Sequence, residues 1–185
     1  MAAPRGDDVR SIIMDTTEDL LASGSFDDLS LATIARTAGV SKGTLYYYYK
    51  TKEDILLDIT DRFLASQWGD FLAWTENKEK DKQLHRLVKY VLLRNVQETG
   101  PRIHLIYHAC IGNEAIREQL IERYRRFQKL IAEKIAERAR TVDPDYLAWL
   151  LLLTSDGIIV QKELQNPYLD LDKYLAETEQ MVRKF

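Results

Sequence analysis

A chain of 185 residues, 45% hydrophobic and 30% charged, can bury a core without disulfide or metal staples and is too apolar to be mainly disordered. Its 26 Lys and Arg against 29 Asp and Glu, a net charge of −3, exclude a protein coated in positive charge but leave room for a local basic patch. The longest apolar run, Tyr146 to Leu153, falls far short of the roughly 20 residues of a membrane span. A single cysteine, Cys110, and no signal-like start lead us to expect a cytoplasmic protein with no membrane partner.

In chain order, Val9, Ile12, Ile13, Thr16 and Leu20 recur at helical spacing and predict a first helix ending near Gly24. Ser30 is placed to cap a short second helix with Leu31, Ile34, Ala35 and Ala38 inward. Gly39 then suits a left-handed helix end, Val40 can plug the corner, and Ser41 can cap a third helix. Two short helices joined by so tight a turn are a helix-turn-helix signal. A longer helix from Lys52 to about Trp74 carries Ile55, Ile59 and Phe63, and Asn77 to Lys82 reads as a loop. Further helices follow: one around Leu84 to Leu92, one from Pro101 to Cys110, and one capped by Asn113 with Ile116, Leu120, Tyr124, Phe127 and Ile131 inward. Asp143-Pro144 opens an eighth helix, apolar on nearly all sides and therefore expected to be buried all round. Tyr174, Thr178, Met181, Val182 and Phe185 form a ninth stripe. The expected fold is all-α, with about nine helices.

In the third helix Leu45 and Tyr49 point inward, Gly43, Thr44 and Tyr47 share the opposite side, and Tyr46 and Tyr48 flank it. Aromatic rings with hydroxyl tips suit a surface that must both pack and hydrogen-bond phosphate oxygens. From Arg36 to Lys52 the chain holds Arg36, Lys42, Lys50 and Lys52 and no acid, a local +4 that phosphate would complement.

Three stretches carry a dense resemblance: Ser30-Leu31-Ala32-Thr33-Ile34-Ala35, Ala38-Gly39-Val40-Ser41-Lys42-Gly43-Thr44-Leu45-Tyr46 and Lys50-Thr51-Lys52-Glu53-Asp54-Ile55-Leu56. Together they resemble the DNA-binding signature of the TetR family of transcriptional regulators, over about the first third of the chain. The resemblance implies a helix-turn-helix domain over residues 1–51 and a helical ligand-sensing and dimerisation domain over 52–185. It implies a homodimer on a palindromic double-stranded operator, most simply a repressor released by a small-molecule inducer, without cofactor or enzymatic activity. By match to the motif, Thr44 and Tyr47, with Gly43 allowing close approach, would face base edges, and Tyr48 the groove wall. Lys42, Tyr46, Thr51 and Lys52 would bind phosphate, and the cap residues Ser30 and Ser41 complete the DNA-facing set. Tyr49 stands where the family usually has phenylalanine, so its hydroxyl needs a partner.

Polar tips on apolar helices make Arg94, His104, Tyr107, His108, Tyr124 and Trp149 candidates for lining the ligand cavity. His104 and His108, four apart, would share a helix face with Cys110 and Glu114 nearby, but without a metalloprotease glutamate they are not assigned a metal. Cys110 is expected as a small buried hydrophobe. The eighth and ninth helices are the expected dimer surface. Two alternatives stay open: a regulator controlled by a protein partner or metal, and a metal-dependent helical enzyme around His85, His104 and His108. No nucleophile elbow, phosphate loop or paired-carboxylate motif supports the enzyme.

Overall fold

A computed structural model describes residues 6–24, 26, 28–77, 83–97 and 102–184, excluding the side chains of residues 6, 7, 23 and 94–97. Among the described residues there are nine helices and no strand. They are α1 (Gly6–Ser23), α2 (Leu31–Thr37), α3 (Lys42–Tyr48), α4 (Lys52–Glu76), α5 (Leu84–Gln97), α6 (Arg102–Cys110), α7 (Glu114–Ala136), α8 (Pro144–Glu163) and α9 (Leu171–Val182). The chain divides into two compact units, residues 1–66 with 100–119, and residues 67–99 with 120–185. The divisions inside helices fall after Ser66 in α4 and after Gln119 in α7.

Local chemistry explains where the helices of the first unit begin and end. The Ser30 side chain accepts the Thr33 amide at the start of α2, and Ser41 accepts the Thr44 amide at the start of α3. Between them Gly39 adopts φ 67°, its amide donates to Arg36 O at 3.3 Å, and the Val40 amide donates to Ala35 O at 3.0 Å. These two bonds are the paired closure of a Schellman end, which satisfies carbonyls that the helix leaves open. Val40 then packs on a core of Val9, Ile13, Met14, Ile34, Ala35, Leu45, Tyr49, Ile55 and Ile59. Full burial of one such aliphatic side chain contributes about 1.5–3 kcal/mol. At the start of α4, Thr51 Oγ accepts the Asp54 amide while Asp54 Oδ2 accepts the amides of Lys50 and Thr51, a reciprocal cap. Those backbone bonds, led by that of Thr51, hold the Asp54 carboxyl below the ordinary carboxylate value.

The inward face of α1 is rotated from the expected stripe: Ile12 is exposed, and the buried positions are Val9, Ile13, Met14, Thr17 and Leu21. Thr17 can replace an aliphatic residue there because its hydroxyl donates to Ile13 O at 2.7 Å.

In the second unit α5 packs on α8 and α9. The core combines Leu87, Val88, Val91 and Leu92 of α5 with Leu147, Ala148, Leu151, Leu152 and Ile158 of α8, and with Leu175 and Val182 of α9. Asp143 caps α8, accepting the amides of Asp145 and Tyr146 behind Pro144, and Asp170 caps α9. Two expectations change here. Within the single chain α8 is not buried all round, because Tyr146, Trp149, Leu150 and Leu153 are exposed. The buried face of α9 is centred on Leu175 and Val182, leaving Tyr174 and Met181 exposed, and Phe185 lies outside the described residues.

Candidate nucleic-acid interface

The seven residues of α3 divide sharply between core and solvent. Leu45 is fully buried, whereas Tyr46 is 48% and Tyr47 78% exposed. Tyr48 is half-buried, and its ring meets that of Tyr47 edge-on at 5.0 Å. Lys42 and Gly43 are exposed. A Cβ built on Gly43 would meet only Ser41 Oγ, at 3.8 Å, so the chain's own packing does not require a glycine there. Thr44 is half-buried and its hydroxyl pairs with Ser41 Oγ at 2.8 Å. Ser30, Ser41 and Thr51 are exposed and cap α2, α3 and α4 in turn.

The basic residues around α3 behave differently from one another. Arg36 and Lys50 are exposed, and Lys50 Nζ donates to Tyr46 O at 2.6 Å, across the end of α3. Lys52 is half-buried; its Nζ donates to Phe26 O at 2.8 Å and stands 4.7 Å from the centre of the Phe26 ring. The Lys52 ammonium therefore also ties the start of α4 to the segment between α1 and α2.

The partner of the Tyr49 hydroxyl lies on α4. This side chain is buried, and its hydroxyl donates to Asp58 Oδ2 at 2.7 Å. Arg10 of α1 joins them, Nε donating to the same carboxylate oxygen at 2.7 Å and to the Tyr49 oxygen at 3.4 Å. Burial, with Asp58 alongside, pushes the phenol above its ordinary value, and the hydrogen bond to Asp58 raises the Arg10 guanidinium. Sequence reasoning missed Arg10 and Asp58. The available signal was an acid beside the inward stripe Ile55 and Ile59 of α4, opposite a tyrosine where an all-carbon ring would pack equally well.

Residues 13–59 match the family described as bacterial regulatory proteins, tetR family, a range that covers the later part of α1, all of α2 and α3 and the first part of α4. The regulator EthR of Mycolicibacterium smegmatis is 28% identical over 178 residues, 91% of this chain and 79% of that protein. The chain thus carries the helix-turn-helix domain of the TetR family of transcriptional regulators. The match to EthR of Mycobacterium tuberculosis is 41% identical but spans 61 residues, a third of this chain and 28% of that protein. A transcriptional regulator from Saccharomonospora viridis, solved in complex with choline, superposes with a TM-score of 0.77. It is 24% identical, covers 97% of this chain and 95% of its own, and so speaks for a shared fold.

The six ligand-cavity candidates divide between the two units of the chain. In the first unit His104 is half-buried and Tyr107 exposed, while His108 is buried edge-on against Phe26 at 4.4 Å. In the second unit the Tyr124 hydroxyl donates to Asp156 Oδ2 and Trp149 is exposed. The Arg94 side chain lies outside those described. A groove of about 270 Å³ in the second unit is lined by Thr154, Gly157, Ile158, Gln161, Leu169 and Tyr174, none of them a predicted lining residue. Buried Arg123 was also missed: Nη2 donates to Gln67 Oε1, and the guanidinium lies 5.2 Å from the Phe127 ring centre and 5.7 Å from that of Tyr124. Cys110 is exposed, contrary to expectation, because it is the last residue of α6 before the turn at Gly112. His85 belongs to the second unit, where its Nε2 stands 4.0 Å from Glu179 Oε1. Among the described residues no three His, Cys, Asp or Glu side chains are grouped to hold a metal.

Proposed function

We propose that the chain is a homodimeric repressor that reads a palindromic operator with α3 and leaves it when a small molecule binds the C-terminal helices. The observation that carries the reading is the outward aim of Tyr46 and Tyr47 on a helix whose other side is sealed into a core, within a segment whose charges are all positive. A short helix of this kind fits the major groove, where side chains reach base edges and the flanking cations and hydroxyls meet phosphate. Gly43, Thr44 and Tyr47 take the base-facing role, Tyr48 the groove wall, and Lys42, Tyr46, Thr51 and Lys52 the phosphate. Ser30 and Ser41 hold the helix starts from which these contacts are made.

Dimerisation is supported by the apolar side of α8, where Tyr146, Trp149, Leu150 and Leu153, with Leu164 at the C-cap, face solvent in the single chain. A two-fold dimer places two reading helices about one turn of B-DNA apart, roughly 34–36 Å. The sensing role belongs to residues 52–185 and the reading role to 1–51, with α4 as the connecting lever. An inducer releases DNA only by as much as it prefers the arrangement that cannot bind the operator, typically about 1–3 kcal/mol. The choline bound by the Saccharomonospora viridis neighbour supports a small organic effector. No helix among the described residues is long and apolar enough to cross a membrane, and we place the protein in the cytoplasm.

The test is selection of duplexes from a random pool, followed by a thermal-shift screen of small molecules. The expected results are an enriched palindrome and a compound that both stabilises the protein and releases that DNA. Failure to enrich any sequence removes the DNA-reading role, and stabilisation without release removes the inducer.

A further inference from the structure

A helix of seven residues cannot hold its own direction. Isolated helices shorter than about 12–15 residues are marginal in water, so the aim of α3 must come from what it packs against. Leu45 and Tyr49 supply that packing, but apolar contact is non-directional and tolerates a roll of the helix. A roll of about 20° would sweep a side-chain tip about 8 Å from the axis through about 3 Å, more than a hydrogen bond to a base edge can absorb.

The Tyr49 hydroxyl supplies the missing direction. It closes α3 as the residue whose amide still donates to Leu45 O, and its oxygen both donates to Asp58 and accepts from Arg10. Three segments of chain, α1, the end of α3 and α4, thus converge on Asp58 Oδ2. The hydroxyl is not needed to neutralise Asp58, because Arg10 pairs with that carboxylate on its own through Nε and Nη2. Nor does the core need it: a phenylalanine would fill the same space without bringing a polar atom out of water. A buried polar group required by neither packing nor charge acts through its geometry.

We infer that Tyr49, with Asp58 and Arg10, is a positioning lock that sets the rotational register of α3 and thereby the discrimination between operator and random DNA. The inference rests on the DNA-reading role proposed above. None of the three residues touches DNA in this account; they act through Thr44 and Tyr47.

The experiment uses the duplex that the wild-type full chain enriches from a random pool, and a scrambled duplex of equal length, titrated over a range of salt. Tyr49→Phe is expected to lower the ratio of operator to random affinity by about three- to tenfold, the net scale of one ordinary intramolecular hydrogen bond. Random-duplex affinity and both salt slopes should stay at wild-type values, because no phosphate-binding cation is removed. Asp58→Ala should lower the ratio similarly, the double variant should lose little more than either single one, and Asp58→Asn, which keeps an acceptor, should stay near wild type. All are compared at a temperature where circular dichroism shows wild-type helicity, so that a variant that is merely unstable is recognised as such. An unchanged ratio in Tyr49→Phe, or parallel loss on both duplexes, overturns the lock while leaving the DNA-reading role standing. A wild-type chain that enriches no sequence removes that role and the lock with it.

Discussion

Both units leave large aromatic or aliphatic side chains in water, and the chemistry of what they expose differs. The reading face of α3 shows Tyr46 and Tyr47, whose rings end in hydroxyls, beside Lys42 and Lys50. The outer face of α8 and its C-cap shows Leu150, Leu153 and Leu164, the last two at 65% and 68% exposure, which have no polar tip to offer. A tyrosine loses little by staying wet and can hydrogen-bond a hydrated polyanion. A leucine gains only by leaving water, at about 25 cal/mol per Å². Two surfaces of one chain thus suit two kinds of partner, nucleic acid for the first unit and a second apolar surface for the second.

The strongest way to break that contrast is to put a charge on the apolar face. Leu153→Glu leaves the fold intact because the side chain is already exposed in the single chain, and it should convert a dimer to monomer in sedimentation. Operator affinity should then fall by about a hundredfold or more, since two linked half-site contacts become one. A variant that stays dimeric with unchanged DNA affinity would move the dimer surface elsewhere. The complementary change, Tyr47→Ala, should leave the dimer alone and cost about tenfold or more on the operator, with little change on random duplex. Equal losses on both DNAs would make Tyr47 a phosphate contact instead of a base reader.

How far each face could be read in the sequence follows from the range of the chemistry that builds it. Helix starts at Ser30, Ser41 and Asp143 and the turn at Gly39 were legible because a cap joins residues two or three apart, and a left-handed turn marks its own residue. The outward side of α3 was legible because it follows from the helical period once Leu45 is placed inward. The partners of Tyr49 were not, since Asp58 and Arg10 stand nine and 39 positions away and nothing local selects them. Arg123 escaped for the same reason: its burial depends on aromatic faces that only the packed bundle provides. The misreading of α8 has a different cause. Its side chains are apolar all round, but the single chain covers only one side, and uniform apolarity does not select which.

A smaller effect separates the scaffold of the reading head from its reading residues. Gly39→Ala forces a Cβ into φ 67°, where the strain for a non-glycine residue is about 1 kcal/mol, although nothing else lies close enough to clash. Thermal unfolding should drop by roughly 2–4 °C, while operator affinity measured well below that transition stays within the error of wild type. A large loss of DNA affinity in a fully folded protein would mean that the turn also contacts DNA.

The smallest expected effect tests whether polar ties between helices serve the same purpose in both units. Glu179 of α9 accepts a hydrogen bond from Lys89 of α5 at 2.7 Å and another from Arg183 at 2.8 Å, and these hold its carboxyl down at about 2. Because the folded chain holds that proton less tightly than the unfolded chain, the tie stabilises the fold above the ordinary glutamate range and loses its contribution as pH falls toward about 2. Glu179→Gln should therefore lower the melting temperature by about 1–3 °C at pH 7, the scale of a solvent-screened ion pair, with the difference shrinking steadily as the pH is lowered to 3. A difference that stays constant with pH would assign the effect to packing. Operator discrimination should be unchanged in this variant, in contrast to Tyr49→Phe. The Glu179 tie joins long helices that already bury extensive apolar faces, whereas the Tyr49 tie orients two turns of helix whose direction little else determines.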